Sequence, residues 1–316
     1  MPRNLTQVIK PKGLKKGDCI GILSPASPPN SQKLKQGIRF LENRGFRIKM
    51  FAPFKRTGYF SGTDEERSEQ INKAFLDDEV DAIICSRGGY GSMRILDKID
   101  YKNIIKNPKL LIGFSDITAL HLAIYNKCRL TSVHGPMVSF GFNEKRETKT
   151  IDSFHKAVSN QVNRPLSYPA DNNKWKTMRH GKTMGILIGG NLTLISMLIG
   201  TEYLPDFKDK ILFIEDLDER PYKIDRLLTH LKLAGKLDNL RSIIIGEMVN
   251  CANPKGGERS FKLQQVFEDC FSKYNFPVIY NFPSGHGRRN LTLPFGVKVE
   301  IDTRKGLFRY KEKAIS

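Results

Sequence analysis

The sequence predicts an α/β protein with two domains, and three observations support this. Between residues 18 and 135, short apolar runs alternate with amphipathic helical segments, which is typical of a mostly parallel sheet covered by helices on both faces. The pattern stops in a polar, Pro- and Asn-rich stretch at 141–182 and then resumes. The 316 residues also exceed the usual size of a single core. We therefore expect α/β domains over 1–145 and 183–316, with a connecting segment over 146–182.

The N-terminal half divides into strand–helix units. The predicted strands are DCIGILSP, FRIKMF, VDAIIC and KLLIGF. The predicted helices are SQKLKQGIRFLENRG, TDEERSEQINKAFLD, SMRILDKI and DITALHLAIYNK. The second helix opens with Thr63 and Glu66 at the spacing of a capping box, so its start is the best defined.

The connecting segment is predicted to hold one helix followed by an irregular linker, and the second half again mixes strands and helices. Its predicted strands are MGILIGG, KILFIED, RSIIIGEM, PVIYN and the closing segments GVKVEID and LFRYK. Its predicted helices are NLTLISMLIG, PYKIDRLLTHLKLAG and FKLQQVFEDCFSKY. The most apolar window, 185–200, is too short to span a bilayer and is interrupted by Gly189, Gly190 and Asn191, so membrane insertion is not expected.

The charge is strongly basic, with 52 Lys and Arg against 33 Asp and Glu and a formal net charge of +19. Such a balance is typical of a nucleic-acid binder or of a protein that attracts an anionic small substrate. The basic residues are nevertheless spread along the whole chain, and aromatic residues are not interleaved with them as a stacking surface requires. The sequence therefore predicts no specific nucleic-acid binding.

The cysteines and the first residues indicate the compartment. The five cysteines are widely scattered and never spaced as CxxC, which argues against a disulfide framework or a thiolate zinc site. The opening residues MPRNLTQVIKPKG contain no apolar region of the kind found in a secretory signal. We therefore expect a cytoplasmic protein.

Four polar clusters lie at or shortly after the ends of predicted strands. They are SRGGYG (86–91), SDIT (115–118), EDLDER (215–220) and SGHGRRN (284–290). Ligand-binding groups of open parallel sheets gather beyond the carboxyl ends of the strands. Three of these clusters supply a serine, an acid and a histidine, which are the residue types that serine hydrolysis needs.

Ser115 has two interpretations. It could cap the following helix, since a serine hydroxyl readily accepts from a free N–H of the first turn. It could also be a nucleophile at the tip of a strand. The nucleophile-elbow pattern G-x-S-x-G is only half present, because Gly113 and Ser115 fit but Ile117 stands where the second glycine belongs.

The base and the acid also have alternatives. His286, between two glycines, is the first candidate for the base, and His134 is the second. The acids of EDLDER could instead hold a metal, although no second carboxylate-rich group accompanies them. SRGGYG could cradle a phosphate or donate to an oxyanion, but it matches neither GxGxxG nor GxxxxGK[ST].

Five segments, in matching order and approximate spacing, resemble the LD-carboxypeptidases of the S66 serine peptidase family. The segments are GDCIGILSPASPP, SRGGYGSMRILDKIDY, IGFSDITALHLAIYNKCRLTSVHGPM, LFIEDLDERPYKIDRLLTHLKLAG and FPSGHGRRNLTLPFGVKVEID. The resemblance implies that Ser115 is the nucleophile, Glu215 the triad acid and His286 the general base. It also implies that the backbone N–H groups of Gly89 and Asp116 form the oxyanion hole.

The same resemblance implies a Rossmann-like N-terminal domain carrying the serine and a smaller C-terminal α/β domain carrying the glutamate and histidine. It implies a cytoplasmic homodimer without metal or other cofactor that removes the terminal D-Ala from murein tetrapeptides in cell-wall recycling. The substrate carboxylate must meet positive charge or N–H donors, and Arg87 and Arg288 lie nearest the motifs. The alternative function is that of an immunity hydrolase acting on microcin C, a peptide-nucleotide antibiotic of different substrate class.

Overall fold

A computed structural model describes residues 7–51, 56–142, 148–159, 165–252 and 260–316. Parts of the predicted connecting segment, 146–147 and 160–164, lie outside the described residues. The strands are β1 Cys19–Leu23, β2 Arg47–Met50, β3 Ala82–Cys85, β4 Leu110–Gly113, β5 Ser132–His134, β6 Lys176–Arg179, β7 Lys182–Asn191, β8 Lys210–Leu217, β9 Ser242–Val249, β10 Val278–Tyr280, β11 Leu293–Phe295, β12 Lys298–Asp302 and β13 Leu307–Tyr310. The α-helices are α1 Ser31–Glu42, α2 Asp64–Leu76, α3 Tyr101–Lys106, α4 Thr118–Cys128, α5 Thr148–Val158, α6 Ala170–Asn173, α7 Leu192–Met197, α8 Pro221–Leu233 and α9 Leu263–Phe271.

The first sheet has six strands in the order β11-β5-β4-β3-β1-β2. The strands β2, β1, β3, β4 and β5 are parallel, in the order of a doubly wound sheet of the flavodoxin type. This confirms the predicted parallel-sheet domain. Because all five strands run the same way, the segments that follow β1, β3 and β4 meet at one edge of the sheet.

The helices α1 and α2 begin where the sequence predicts, while α4 begins at Thr118, two residues later than predicted. Thr63 and Glu66 form the predicted capping box at the start of α2, each side chain bonding to the other's backbone N–H. One helix differs in type, because residues Ser92–Lys98 form a 3-10 helix instead of an α-helix. This segment starts from Gly91, at φ 132°, and is followed directly by α3, whose N-cap is Asp100.

The second sheet has seven strands in the order β13-β12-β7-β8-β9-β10-β6. Its four inner strands, β7 to β10, are parallel, while β12 and β6 pair antiparallel at either side. β6 comes from the connecting segment, where the sequence predicts an irregular linker, so that prediction is wrong for Lys176–Arg179. The chain thus enters the second sheet before residue 183.

The two halves share strands and core. β11 belongs to the C-terminal half by sequence, yet it pairs antiparallel with β5 at the edge of the first sheet. One hydrophobic cluster joins Phe114 and Ile117 of the first half to Leu192 and Ile214 of the second. The carboxyl ends of β4 and β8 therefore face each other across a continuous packed interface.

No helix within the described ranges has the length and apolarity needed to cross a membrane. The five cysteines are free thiols. The apolar window at 185–200 forms the end of β7 and the helix α7, as its glycine interruption predicts.

Candidate active site

Ser115 lies two residues after the end of β4, behind Phe114, at the first position of a short 3-10 helix, Ser115–Ile117. Its φ of 64° places it in the left-handed region, which costs a residue with a side chain about 1–2 kcal/mol. The side chain caps no helix, since the 3-10 helix starts from Phe114 without a side-chain cap and α4 starts from Ile117. The interpretation of Ser115 as a helix cap is therefore wrong.

The hydroxyl of Ser115 instead faces His286. Its Oγ lies 3.0 Å from His286 Nε2, and His286 Nδ1 lies 2.6 Å from Glu215 Oε2. A carboxylate only accepts, so His286 donates from Nδ1 and its Nε2 is free to accept from the serine hydroxyl. The three side chains, separated by 171 and 71 positions along the chain, form one continuous line of hydrogen bonds.

Glu215 is held by β8 and is fully buried. It pairs in register with Asn191 of β7, whose backbone N–H donates to Thr118 Oγ1 at 2.9 Å. Thr118 begins α4, three residues after Ser115. This bond ties the end of β7 to the start of α4, the helix that follows Ser115. Because β8 pairs with β7, the bond also fixes the position of Glu215 relative to Ser115.

Asp216 points to the other side of the same strand. Its carboxylate accepts from Asn191 Nδ2 at 2.9 Å and from Thr193 N at 3.0 Å. Successive residues of a strand face opposite ways, which separates it from the histidine. Asp216 therefore anchors the turn from β7 into α7, while Glu215 alone reaches His286.

His286 is carried by a loop that is held from both sides. Gly285 adopts φ 129°, and a Cβ there would lie 2.8 Å from Glu215 Oε2, so only glycine allows the carboxylate so close. The Gly285 N–H donates to Asn290 Oδ1 at 3.1 Å. The ring of Phe114 packs on the imidazole with a centroid distance of 4.9 Å. The loop and the aromatic ring together fix the orientation of the imidazole.

The electrostatics of this pair favour a charged histidine. Burial alone lowers the pKa of His286, but the charge of Glu215 and its hydrogen bond raise it, and the net pKa lies above the ordinary value. The imidazolium that forms when a histidine takes a proton is thus stabilised where it stands.

The glycine-rich turn after β3 lies against Ser115. A Cβ added to Gly88 would lie 3.1 Å from Ser115 Oγ and 3.3 Å from the backbone N of Asp116. Gly89 adopts φ 113°, and the next residue, Tyr90, donates its N–H to Ser27 Oγ at 3.2 Å. Gly88 thus contacts the serine directly, Gly89 is the next residue of the same turn, and Asp116 follows Ser115 in the chain.

His134, the second candidate for the base, is fully buried among the rings of Phe114, Phe213 and Phe295. Burial holds the pKa of His134 well below its ordinary value, so the ring stays neutral. It packs behind Phe114 and lines the core instead of meeting the serine hydroxyl.

The other two acids of the segment EDLDER, Asp218 and Glu219, bind different partners. Asp218 is exposed and accepts from Asn250 at 2.9 Å, and Glu219 pairs with Lys223 at 2.9 Å. Across the part of the chain that the structure describes, no three His, Cys, Asp or Glu side chains group closely enough to hold a metal ion.

The sequence reading missed two side chains next to the glycine-rich turn. Arg67 in α2 is completely buried and donates to the Gly91 carbonyl at 2.8 Å. The Asp116 carboxylate, considered from the sequence only for its backbone, accepts from Ser92 N at 2.8 Å. A signal for Arg67 was available, because it lies four residues before the buried Ile71 on the apolar face of its helix.

A serine, a histidine and a buried glutamate joined in this way at the edge of a parallel sheet define the arrangement of a serine hydrolase. Comparison with known protein families identifies which family of serine hydrolases the chain matches. Residues 20–135 match the LD-carboxypeptidase N-terminal domain, and residues 184–301 match the LD-carboxypeptidase C-terminal domain. The chain belongs to the LD-carboxypeptidase family of serine peptidases.

Individual relatives agree with this. The chain is 38% identical over 295 residues to a probable murein peptide carboxypeptidase of Bacillus subtilis, covering 93% of this chain and 92% of the relative. A solved muramoyltetrapeptide carboxypeptidase from Oxalobacter formigenes has a TM-score of 0.82 and 27% identity, covering 92% of this chain and 97% of that one. The microcin C7 self-immunity protein MccF, solved without ligand, has a TM-score of 0.89 and 29% identity, covering 98% and 100%.

Proposed function

We propose that this protein is a serine carboxypeptidase that cleaves the bond between the L-centre of the diamino acid and the terminal D-Ala of murein tetrapeptides in cell-wall recycling. The observation that carries the proposal is the line of hydrogen bonds from Ser115 through His286 to Glu215 in a chain of the LD-carboxypeptidase family. The murein peptide carboxypeptidase names of its relatives support the choice of substrate.

In this mechanism Ser115 Oγ attacks the carbonyl carbon before D-Ala while His286 Nε2 takes the hydroxyl proton. The backbone N–H groups of Gly89 and Asp116 hold the developing oxyanion. When the tetrahedral intermediate collapses, the C–N bond breaks and His286 gives its proton to the leaving amine. Water, activated by His286, then hydrolyses the ester on Ser115. Glu215 keeps the imidazole in the required tautomer throughout.

The proposed function also involves two domains, basic residues near the site and a dimeric assembly. The family matches at 20–135 and 184–301 fall inside the domains proposed at 1–145 and 183–316, which supports a division into two domains in this order. The substrate carboxylate requires positive charge or N–H donors beside the site, and Arg87 and Arg288 are the basic residues nearest the motifs. The protein works in the cytoplasm as a homodimer. Light scattering after gel filtration should give twice the mass of one chain, and a single-chain mass at all concentrations would contradict the dimer.

A panel of three substrates tests the proposed function. The purified protein is incubated with a muramoyl tetrapeptide, with the corresponding pentapeptide ending in D-Ala-D-Ala, and with aspartyl sulfamoyl adenosine, and the products are followed by mass spectrometry. We expect loss of one D-Ala from the tetrapeptide and little change in the other two. An intact tetrapeptide would contradict the proposed function.

The third substrate addresses the alternative of a microcin C-type immunity hydrolase. One solved MccF structure holds aspartyl sulfamoyl adenosine, and MccF is also similar to this chain in fold. Faster cleavage of this compound than of the tetrapeptide would favour the alternative over the murein peptide.

The pH dependence should follow His286. Because the base must be neutral to take the serine proton, kcat/KM should fall as the pH drops through the raised pKa of His286. In a Glu215→Gln variant the raising charge is lost, so the acidic limb should move to lower pH. Measuring kcat/KM against pH for both proteins checks this, and a limb that stays in place would contradict the assignment.

The proposed chemistry uses only side chains and backbone groups of this chain, so chelators should not affect it. We expect the rate of D-Ala release to be unchanged after prolonged incubation with EDTA. Inhibition that is reversed by added zinc would instead support the metal alternative.

A further inference from the structure

The turn that carries Gly89 needs an external support. Gly89 and Gly91 adopt φ of 113° and 132°, and glycines give a turn little stiffness of its own. An oxyanion hole, in contrast, works only when its donors are held in place before the charge develops. The structure supplies a support from two charged side chains that are almost completely buried.

The first is Arg67, whose side chain is 0% exposed. Its Nη1 donates to the carbonyl of Pro25 in the loop after β1 and, at 2.8 Å, to the carbonyl of Gly91. A Cβ on Gly91 would lie 2.7 Å from the same Nη1, so the guanidinium reaches this carbonyl only past a glycine. Arg67 thus joins the loop after β1 to the glycine-rich turn after β3.

The second is Asp116, which is 1% exposed and directly follows Ser115. Its Oδ2 accepts from the N–H of Ser92 at 2.8 Å. The Gly91 carbonyl and the Ser92 N–H are the two ends of one peptide group, which is planar. Arg67 and Asp116 therefore hold the same peptide group from opposite ends, which restricts rotation of its plane.

We propose that Arg67 and the Asp116 carboxylate are positioning residues that clamp the Gly91–Ser92 peptide and thereby hold the Gly89 N–H in place beside Ser115. This inference rests on the proposed function. The clamp acts through the turn and touches no substrate atom, so its loss should weaken stabilisation of the oxyanion while leaving the binding of intact substrate unchanged. Buried side chains that only stabilised the fold would not separate these two effects.

The chain offers a matched control in Arg94. Arg94 shares two partners with Arg67, since it pairs with Asp64 at 2.7 Å and lies 5.2 Å from the centre of the Phe60 ring. Its side chain is half exposed and its bonds go to the Asp64 carboxylate. Arg94→Met therefore removes the same charge as Arg67→Met and also breaks an ion pair with Asp64, but it does so at the surface.

The test uses a reaction of Ser115 that does not depend on the peptide substrate. A fluorophosphonate reacts with the serine: the Oγ–P bond forms, the P–F bond breaks, fluoride leaves, and the hydroxyl proton passes to His286. Its phosphoryl oxygen occupies the place of the oxyanion. The labelling rate is read by intact-protein mass spectrometry, and tetrapeptide affinity is measured by calorimetry in a Ser115→Ala background.

For Arg67→Met we expect the labelling rate and kcat to fall by about 10²-fold, the size typical of one lost oxyanion donor, with tetrapeptide affinity within about twofold. Arg94→Met should label at close to the wild-type rate. A labelling rate of Arg67→Met within twofold of wild type would overturn the clamp, and so would a loss of tetrapeptide affinity that matches the loss of rate.

If circular dichroism shows Arg67→Met to be unfolded, Arg67→Lys replaces it. Lysine keeps the charge but lacks the rigid planar fork, so the turn should be held less well and labelling should fall by about tenfold. A folded lysine variant with wild-type labelling would overturn the proposal. Wild-type protein that labels at Ser115 but leaves the tetrapeptide intact would contradict the murein substrate, and the labelling rates would still decide the clamp.

Discussion

Replacing Ser115 by alanine is expected to lower the rate of D-Ala release from murein tetrapeptide by at least about 10⁴-fold, since the nucleophile of a triad acts as a unit with its base. The Ser115 hydroxyl is the only group removed, and it bonds to His286 Nε2 at 3.0 Å. The fold should be retained because the hydroxyl caps no helix. Steady-state kinetics on one tetrapeptide preparation measures the effect.

Circular dichroism and tetrapeptide binding serve as the controls for this variant. Both should match wild type, because Ser115 is partly exposed and its loss leaves no large cavity. Full activity in a folded Ser115→Ala protein would end the interpretation of the site as that of a serine peptidase.

Replacing Glu215 by glutamine should reduce the rate by about 10⁴-fold while preserving the fold, because an amide cannot hold the imidazole in the required tautomer or stabilise its charged form. The carboxylate is fully buried and lies 2.6 Å from His286 Nδ1. Kinetics of Glu215→Gln beside Asp218→Asn, on the same tetrapeptide, measures the difference.

Asp218 is the matched control from the same acidic segment. It is exposed and bonds to Asn250 at 2.9 Å, so Asp218→Asn should stay within about threefold of wild type. The reverse ranking of the two variants would show that the triad acid is the wrong carboxylate.

Much of the fold and the three residues of the hydrogen-bond line could be predicted from the sequence. The strands of the first sheet are short apolar runs with polar turns, and the capping box at Thr63 and Glu66 gives the start of α2. The resemblance implies Glu215 as the acid, the alternation of side chains along a strand implies that Asp216 could not face the same histidine, and the structure shows the two carboxylates on different partners. Local pattern was sufficient for these elements of the fold, whereas the roles of Ser115, Glu215 and His286 followed from the family resemblance.

Features that depend on distant partners could not be predicted. β6 is a polar edge strand and β11 has three residues with Pro294 at their centre, so neither gives a period-2 pattern. The left-handed backbone of Ser115 has no glycine to signal it and is imposed by the surrounding packing. The clamp around the Gly91–Ser92 peptide joins side chains from separate elements, which only the folded chain brings together.

The central claim is that Ser115 carries the tripeptide part of the substrate as a covalent ester during turnover. Wild-type protein mixed with muramoyl tetrapeptide is quenched in acid at short times and measured by intact-protein mass spectrometry. We predict a mass increase equal to the tetrapeptide less D-Ala, which after digestion maps to the peptide containing Ser115. An adduct on another residue, or release of D-Ala without an adduct at any quench time, would contradict the account.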